Sequence, residues 1–173
     1  MTRLFHVSEQ PDIRMFEPRA SLSDHGGVTG DAVWAIDYDH LPHYLTPREC
    51  PRITLRSGPD TTAEDKKKFF KDGHERVIAV EMEWYERLKS AQLYLYEFPH
   101  EPFTLVDAIA GYFISPQPVE PKSVKTISNL IERIVEHGYK LRLLPNLWPL
   151  REAAIVSTVQ YSIIRIRNAK PKP

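Results

Sequence analysis

Short apolar runs, cut by prolines and polar turns, set the pattern of this chain. Residues 3–7 (RLFHV) predict a strand close to its start. The compact runs 32–36 (AVWAI) and 77–80 (VIAV) predict buried strands, and the alternation at 52–56 (RITLR) predicts one with a single wet face. Aromatic-rich 93–98 (LYLYEF) and 112–115, after Gly111, predict two more. A short helical piece is expected at 41–45, with Pro42 in its first turn. A helix is expected over 61–73, where Thr61 and Glu64 have capping-box spacing and Gly73 stands at the end. Trp84, Tyr85 and Leu88 mark one side of another. The strongest helix is expected over 122–137: Val124, Ile127, Leu130, Ile131, Ile134 and Val135 form a stripe between Pro121 and Gly138. Residues 141–144 read as a short strand, 148–156 as a helix with Pro149 near its start, and 159–166 as a terminal strand. The polar stretch 20–31, with Gly26, Gly27 and Gly30, is expected to be a mobile loop. Strands and helices do not alternate regularly, which predicts an α+β fold: short, mostly antiparallel strands with three or four helices. All 173 residues are expected to form a single domain, with 169–173 as a flexible tail.

Composition narrows the classes. One cysteine, Cys50, excludes a disulfide within the chain and a thiolate zinc site built from it alone. Cys50 lies between Glu49 and Pro51 with no adjacent histidine, so it reads as an incidental thiol. The start of the chain has no apolar signal region, and no window approaches the roughly 18–20 apolar residues of a membrane span. A soluble, cytoplasmic protein without a membrane partner is expected. Lys+Arg and Asp+Glu both number 23, which argues against a chain that coats nucleic acid. That zero is a cancellation. Residues 1–121 hold 13 basic and 20 acidic side chains, a balance of −7, and residues 122–173 hold 10 and 3, a balance of +7. The plain reading is that the basic part packs on acidic segments. The sharper one is a basic surface at Arg165 and Arg167 for an anionic ligand or RNA.

No phosphate-loop, dinucleotide, zincin, serine-hydrolase or calcium-loop motif occurs. His40 and His43, just after Asp37 and Asp39, permit a metal site to be drawn, but such clusters beside prolines are usually solvated, and no metal is expected. His6 on the first strand shares a face with Leu4 and Ser8, which suits either a satisfied interior histidine or a rigidly held imidazole. Glu81 and Glu97 are acids inside apolar strand patterns and need partners, with Arg56, Arg76 and Arg165 as candidates.

Four segments carry a resemblance over nearly the whole length: 3–19 (RLFHVSEQPDI..FEPR), 33–52 (VWAID..HLPHYLTPRECPR), 110–115 (AGYFIS) and 146–169 (NLWPLREA..ST..YSIIRIRNA). By these the chain resembles a family of small, uncharacterised bacterial proteins. The order of a strand histidine, the I..FEPR segment, a Gly-rich loop and the VWAID strand before a tyrosine-bearing helix also looks like the opening of ADP-ribosyltransferase-like folds. That resemblance implies NAD or another nucleotide as ligand. It gives His6 a ribose contact, Tyr44 a place beside nicotinamide, and Glu97 the role of the orienting carboxylate. This sequence departs from the usual pattern at Val7 and Ser8 and lacks the usual Ser-Thr-Ser core. Both departures favour a degenerate relative. The alternative is a non-catalytic α+β module that binds a protein partner or an anionic ligand through Arg165 and Arg167.

Overall fold

The computed structural model describes residues 2–20 and 28–173. Most of the expected mobile loop, including Gly26 and Gly27, lies outside the described residues. In chain order the elements are β1 (Leu4–Ser8), β2 (Val33–Asp37), β3 (Arg52–Arg56), α1 (Ala63–Phe69), β4 (Arg76–Glu81), α2 (Tyr85–Ser90) and β5 (Leu93–Phe98). They continue with β6 (Thr104–Asp107), β7 (Tyr112–Ser115), β8 (Ser123–Ile127), α3 (Leu130–Glu136), β9 (Lys140–Leu144), α4 (Trp148–Ile155) and β10 (Gln160–Ile164). All strand pairings among the described residues are antiparallel except β4 with β9. The fold is α+β, as the irregular order of elements predicts. The chain divides into two compact units, Met1–Tyr44 with Gln92–Ser128, and Leu45–Ala91 with Asn129–Pro173.

The first unit is a sheet in the order β6-β7-β2-β1-β5-β8. Leu4, Val33, Ala35, Tyr96, Phe98 and Phe113 fill one side of it together with Phe16 and Val119 from connecting segments. The Tyr96 hydroxyl is satisfied inside that cluster: it donates to the Gln10 carbonyl at 2.6 Å and accepts from the Ile13 amide at 3.1 Å. A buried phenol needs such partners, and here they pin the segment after β1 to the core.

The second unit is a sheet in the order β10-β3-β4-β9. β3 and β4 are its central strands, and Ile53, Leu55, Val77 and Ala79 on them are fully buried. Helices α1 and α4 contribute Phe69 and Ala154 to the same cluster. Helix α1 starts one residue later than capping-box spacing suggests. Thr62 is its N-cap and accepts from the Asp65 amide at 3.2 Å, while the buried Thr61 hydroxyl donates to the Thr158 carbonyl. Glu81, at the end of β4, is fully buried and accepts from the backbone amides of Leu147 and Lys170. Trp148 Nε1 donates to the Lys170 carbonyl, and Asn146 donates to that of Pro171. Where a flexible tail is expected from 169, the segment is thus anchored.

The long helix expected over 122–137 does not form. Its first half is β8, which pairs along its length with β5 from Leu93↔Ile127 to Glu97↔Ser123. Val124 and Thr126 are β-branched, and Asn129, with φ of 55°, separates strand from helix. Only Leu130 and Ile134 of the expected stripe are buried, whereas Val124 and Val135 are exposed. The strand β6 had no sequence signal. It is four residues long at a sheet edge and irregular opposite β7.

Part of the basic excess of the C-terminal segment is taken up by ion pairs inside the second unit. Arg165 and Arg167 meet Glu49, Lys140 meets Asp72 and Lys170 meets Glu83, so C-terminal cations find acids from earlier in the chain. Among the described residues no helix is long and apolar enough to cross a membrane.

Candidate functional site

His6 stands where two strands part. On one side every residue of β1 pairs with β5, but toward β2 the ladder contains only Leu4↔Asp37 and Phe5↔Ile36. Past Phe5, the Trp34 carbonyl is 3.2 Å from His6 Nδ1. A carbonyl only accepts, so the hydrogen bond is donated by Nδ1. The ring also packs on Phe16 and Phe98, with centroids at 4.9 and 6.3 Å. Packing on these rings and the contact with the Trp34 carbonyl both hold its position.

The other two residues of the transferase-like set lie elsewhere. Cross-strand partners point to the same face of a sheet. His6 is opposite Tyr96, and Phe5 is opposite Glu97, so His6 and Glu97 leave opposite faces. The Glu97 carboxylate takes both Arg3 Nε, at 3.0 Å, and Arg3 Nη2, at 2.8 Å. Arg3 precedes Phe5 by two positions and so shares its face. This partner was legible only once the register was known. Tyr44, at the end of a 3-10 turn (Leu41–Tyr44), shares a 2.7 Å hydroxyl contact with Tyr112. Tyr112 is opposite Ile36, which is opposite Phe5, so this contact also belongs to the face of Glu97.

The Arg3 hydrogen bonds hold the Glu97 carboxyl below the usual carboxylate range. A depressed folded value means the pair contributes above the unfolded value of about 4.3 and is lost as pH falls through the folded one. Arg3 is 54% exposed, so solvent screens the pair. Glu97→Gln is expected to cost less than about 1 kcal/mol at neutral pH, and nothing once acid has discharged Glu97 in the parent. Urea melts of the two proteins at pH 7 and pH 3 measure this. A gap that widens in acid contradicts the assignment.

Asp37, His40 and His43 form a second polar group. Asp37 Oδ1 accepts from the His40 amide at 2.8 Å and lies 2.7 Å from His40 Nδ1, while the rings of His40 and His43 are 5.4 Å apart. The carboxylate thus caps the turn and orients one imidazole. Gly111 lies against this contact, and sequence spacing had no means of showing that. Among the described residues no group of three or more His, Cys, Asp or Glu side chains could hold a metal ion.

Arg165 and Arg167 already face an anion. Glu49 lies 3.6 Å from Arg165 Nε and 3.8 Å from Arg167 Nη2, and it also accepts from the Asn168 amide at 2.8 Å. That amide first, and then the two guanidiniums, keep the Glu49 carboxyl below its usual range. Cys50 is fully buried, which pushes its thiol up to about 12 and leaves it a thiol at neutral pH.

A family model described as a family of unknown function, DUF6886, matches residues 5–169. The chain belongs to that family. The DUF6886 match takes in His6, Tyr44, Glu97, Arg165 and Arg167, and both compact units. The resemblance to an uncharacterised family is thereby borne out, and membership in DUF6886 assigns no activity. No curated protein and no solved structure matches the chain.

Proposed function

We propose that this chain is a degenerate ADP-ribosyltransferase-like protein, one that binds a nucleotide weakly and does not transfer ADP-ribose. The observation that supports binding is the placement of His6 at the opening between β1 and β2, with Nδ1 tied to the Trp34 carbonyl. An imidazole held at this place is the group to which the transferase-like resemblance gives a ribose contact. Transfer from NAD further requires a carboxylate beside the oxocarbenium-like centre and an aromatic platform for nicotinamide. Glu97 and Tyr44 leave or meet the opposite face, and Glu97 is neutralised by Arg3. The first unit also holds 11 acidic against 5 basic side chains, which opposes phosphate and argues for low affinity. The one thiol, buried in Cys50, is compatible with a reducing compartment, and we place the protein in the cytoplasm.

Calorimetry with millimolar NAD tests the binding half. A weak heat is expected that His6→Ala removes and Glu97→Gln leaves in place. Absence of any heat, or of any effect of His6→Ala, overturns it. Nicotinamide release tests the other half: none is expected, and release that depends on Glu97 would restore catalysis to the protein.

A further inference from the structure

We propose that the second unit has a separate site, a groove between α1 and the β9–α4 corner that binds an amphiphilic organic anion. The ligand class is a molecule with one carboxylate or phosphate head on an apolar body. The groove is open to solvent and has a volume of about 390 Å³. That is within the roughly 300–1,000 Å³ of small-molecule sites. Its polar lining is Lys68, Arg142 and Asn146, and no aspartate or glutamate lines it. The remainder is apolar, including Leu144, Leu150 and Ala153.

The polar groups are not equivalent. Asn146 is committed on both sides of its amide, donating to the Pro171 carbonyl at 3.0 Å and accepting from the Trp148 amide at 2.9 Å. Arg142 donates from Nη2 to the Phe69 carbonyl at 2.9 Å. That bond tethers one edge of a guanidinium that also lines the groove. Lys68 reaches the same place over the Phe69 ring, 5.2 Å from its centroid. Neither cation makes an ion pair with a carboxylate among the described residues, and Asp65 touches Lys68 only through longer-range charge. A planar guanidinium beside an ammonium matches a carboxylate or phosphate head. The aliphatic floor next to them offers burial to a carbon chain.

A larger neighbouring groove along α1, of about 680 Å³, shows the contrast. Glu64 and Glu75 lie among its four lysines, Lys68 included, and Lys66 is paired with Glu75 at 3.4 Å, so carboxylates already stand beside those cations, whereas none lines the groove at Arg142. The proposal is independent of the nucleotide reading, which concerns His6 on the other unit.

The test is a titration of the full chain, followed by amide NMR at low salt, with octanoate and octyl phosphate as probes. Octylamine and octanol are the controls. Saturable shifts are expected at Lys68, Phe69, Arg142, Leu150 and Ala153 with at least one of the anions. The tighter of the two identifies the head group. Lys68→Gln is expected to weaken binding about tenfold through loss of one charge-assisted contact. Ala153→Phe, which fills the floor and keeps both cations, is expected to abolish octanoate shifts. Lack of saturation by both anions, equal shifts from octylamine, or an unchanged affinity in Lys68→Gln overturns the site. Because Lys68 is exposed, that variant is read even where Ala153→Phe fails to fold.

Discussion

Glu81→Ala is expected to destabilise the protein by about 3–5 kcal/mol, which for a chain of this size lowers the melting temperature by roughly 10 °C. The carboxyl is fully buried at the end of β4, and its work is done on backbone. Oε1 accepts from the Leu147 amide at 3.2 Å, at the start of α4, and Oε2 accepts from the Lys170 amide at 3.0 Å. A backbone N–H stripped of its partner away from water costs about 1–3 kcal/mol, and alanine orphans both while leaving a void. Glu81→Gln retains one acceptor oxygen and sets an amide N–H₂ against a donor, so about half that loss is expected. The segment after Asn168 is the other partner in this arrangement. Removing residues 169–173 deletes the Lys170 amide, the acceptor of Trp148 Nε1 and the Lys172–Glu152 pair at once. In a double-mutant cycle Glu81→Ala is therefore expected to cost less in the shortened chain than in the full one. Urea denaturation by circular dichroism measures all four proteins. Strictly additive losses, or a loss in Glu81→Ala under about 1 kcal/mol, mean that the carboxyl does not latch the C-terminal segment.

The latch illustrates what the sequence shows and what it conceals. Glu81 inside an apolar run announced a buried acid that needed partners, and that much follows from local pattern. The expected partners were arginines. The actual ones are two backbone amides far along the chain, which no spacing rule addresses. The same division runs through the fold. β3, β5 and β7 match their predicted bounds because alternation or an aromatic run marks each of them locally. β8 was hidden because Val124 and Ile127 fit a helical stripe as readily as an edge strand. Pairing with β5, some thirty positions earlier, decided the matter. His6 was legible as a strand histidine. The parting of β1 from β2 beside it was not, because a ladder that stops after Phe5 leaves no trace in either strand alone. The opposite faces of His6 and Glu97 follow from simple alternation, but only after β1 and β5 are known to be neighbours in that register.

Gly111→Ala is the second change with a large expected effect, about 3–5 kcal/mol, and a matched control separates its causes. Gly111 has φ of 70°, a left-handed conformation that costs a side chain about 1–2 kcal/mol. A methyl group there would also lie 2.3 Å from His40 Nδ1 and 2.8 Å from Asp37 Oδ2. Neither neighbour can retreat cheaply. Asp37 Oδ1 holds the His40 ring at 2.7 Å and the His40 amide at 2.8 Å, and the Asp37 amide itself donates to the Gly111 carbonyl at 3.0 Å. His40 is buried as well, so its ring has no solvent to swing into. Gly138, with φ of 77° and nothing within 4 Å, carries the backbone strain without the overlap. Gly138→Ala is therefore expected to cost only about 1–2 kcal/mol, and the excess at Gly111 reports the contact with the Asp37–His40 pair. Truncating the ring in a Gly111→Ala, His40→Ala double variant should recover part of that excess, whereas His40→Ala alone should destabilise. Equal losses at the two glycines would show that the imidazole yields without cost, and the short Asp37–His40 contact would then not be a fixed part of the first unit.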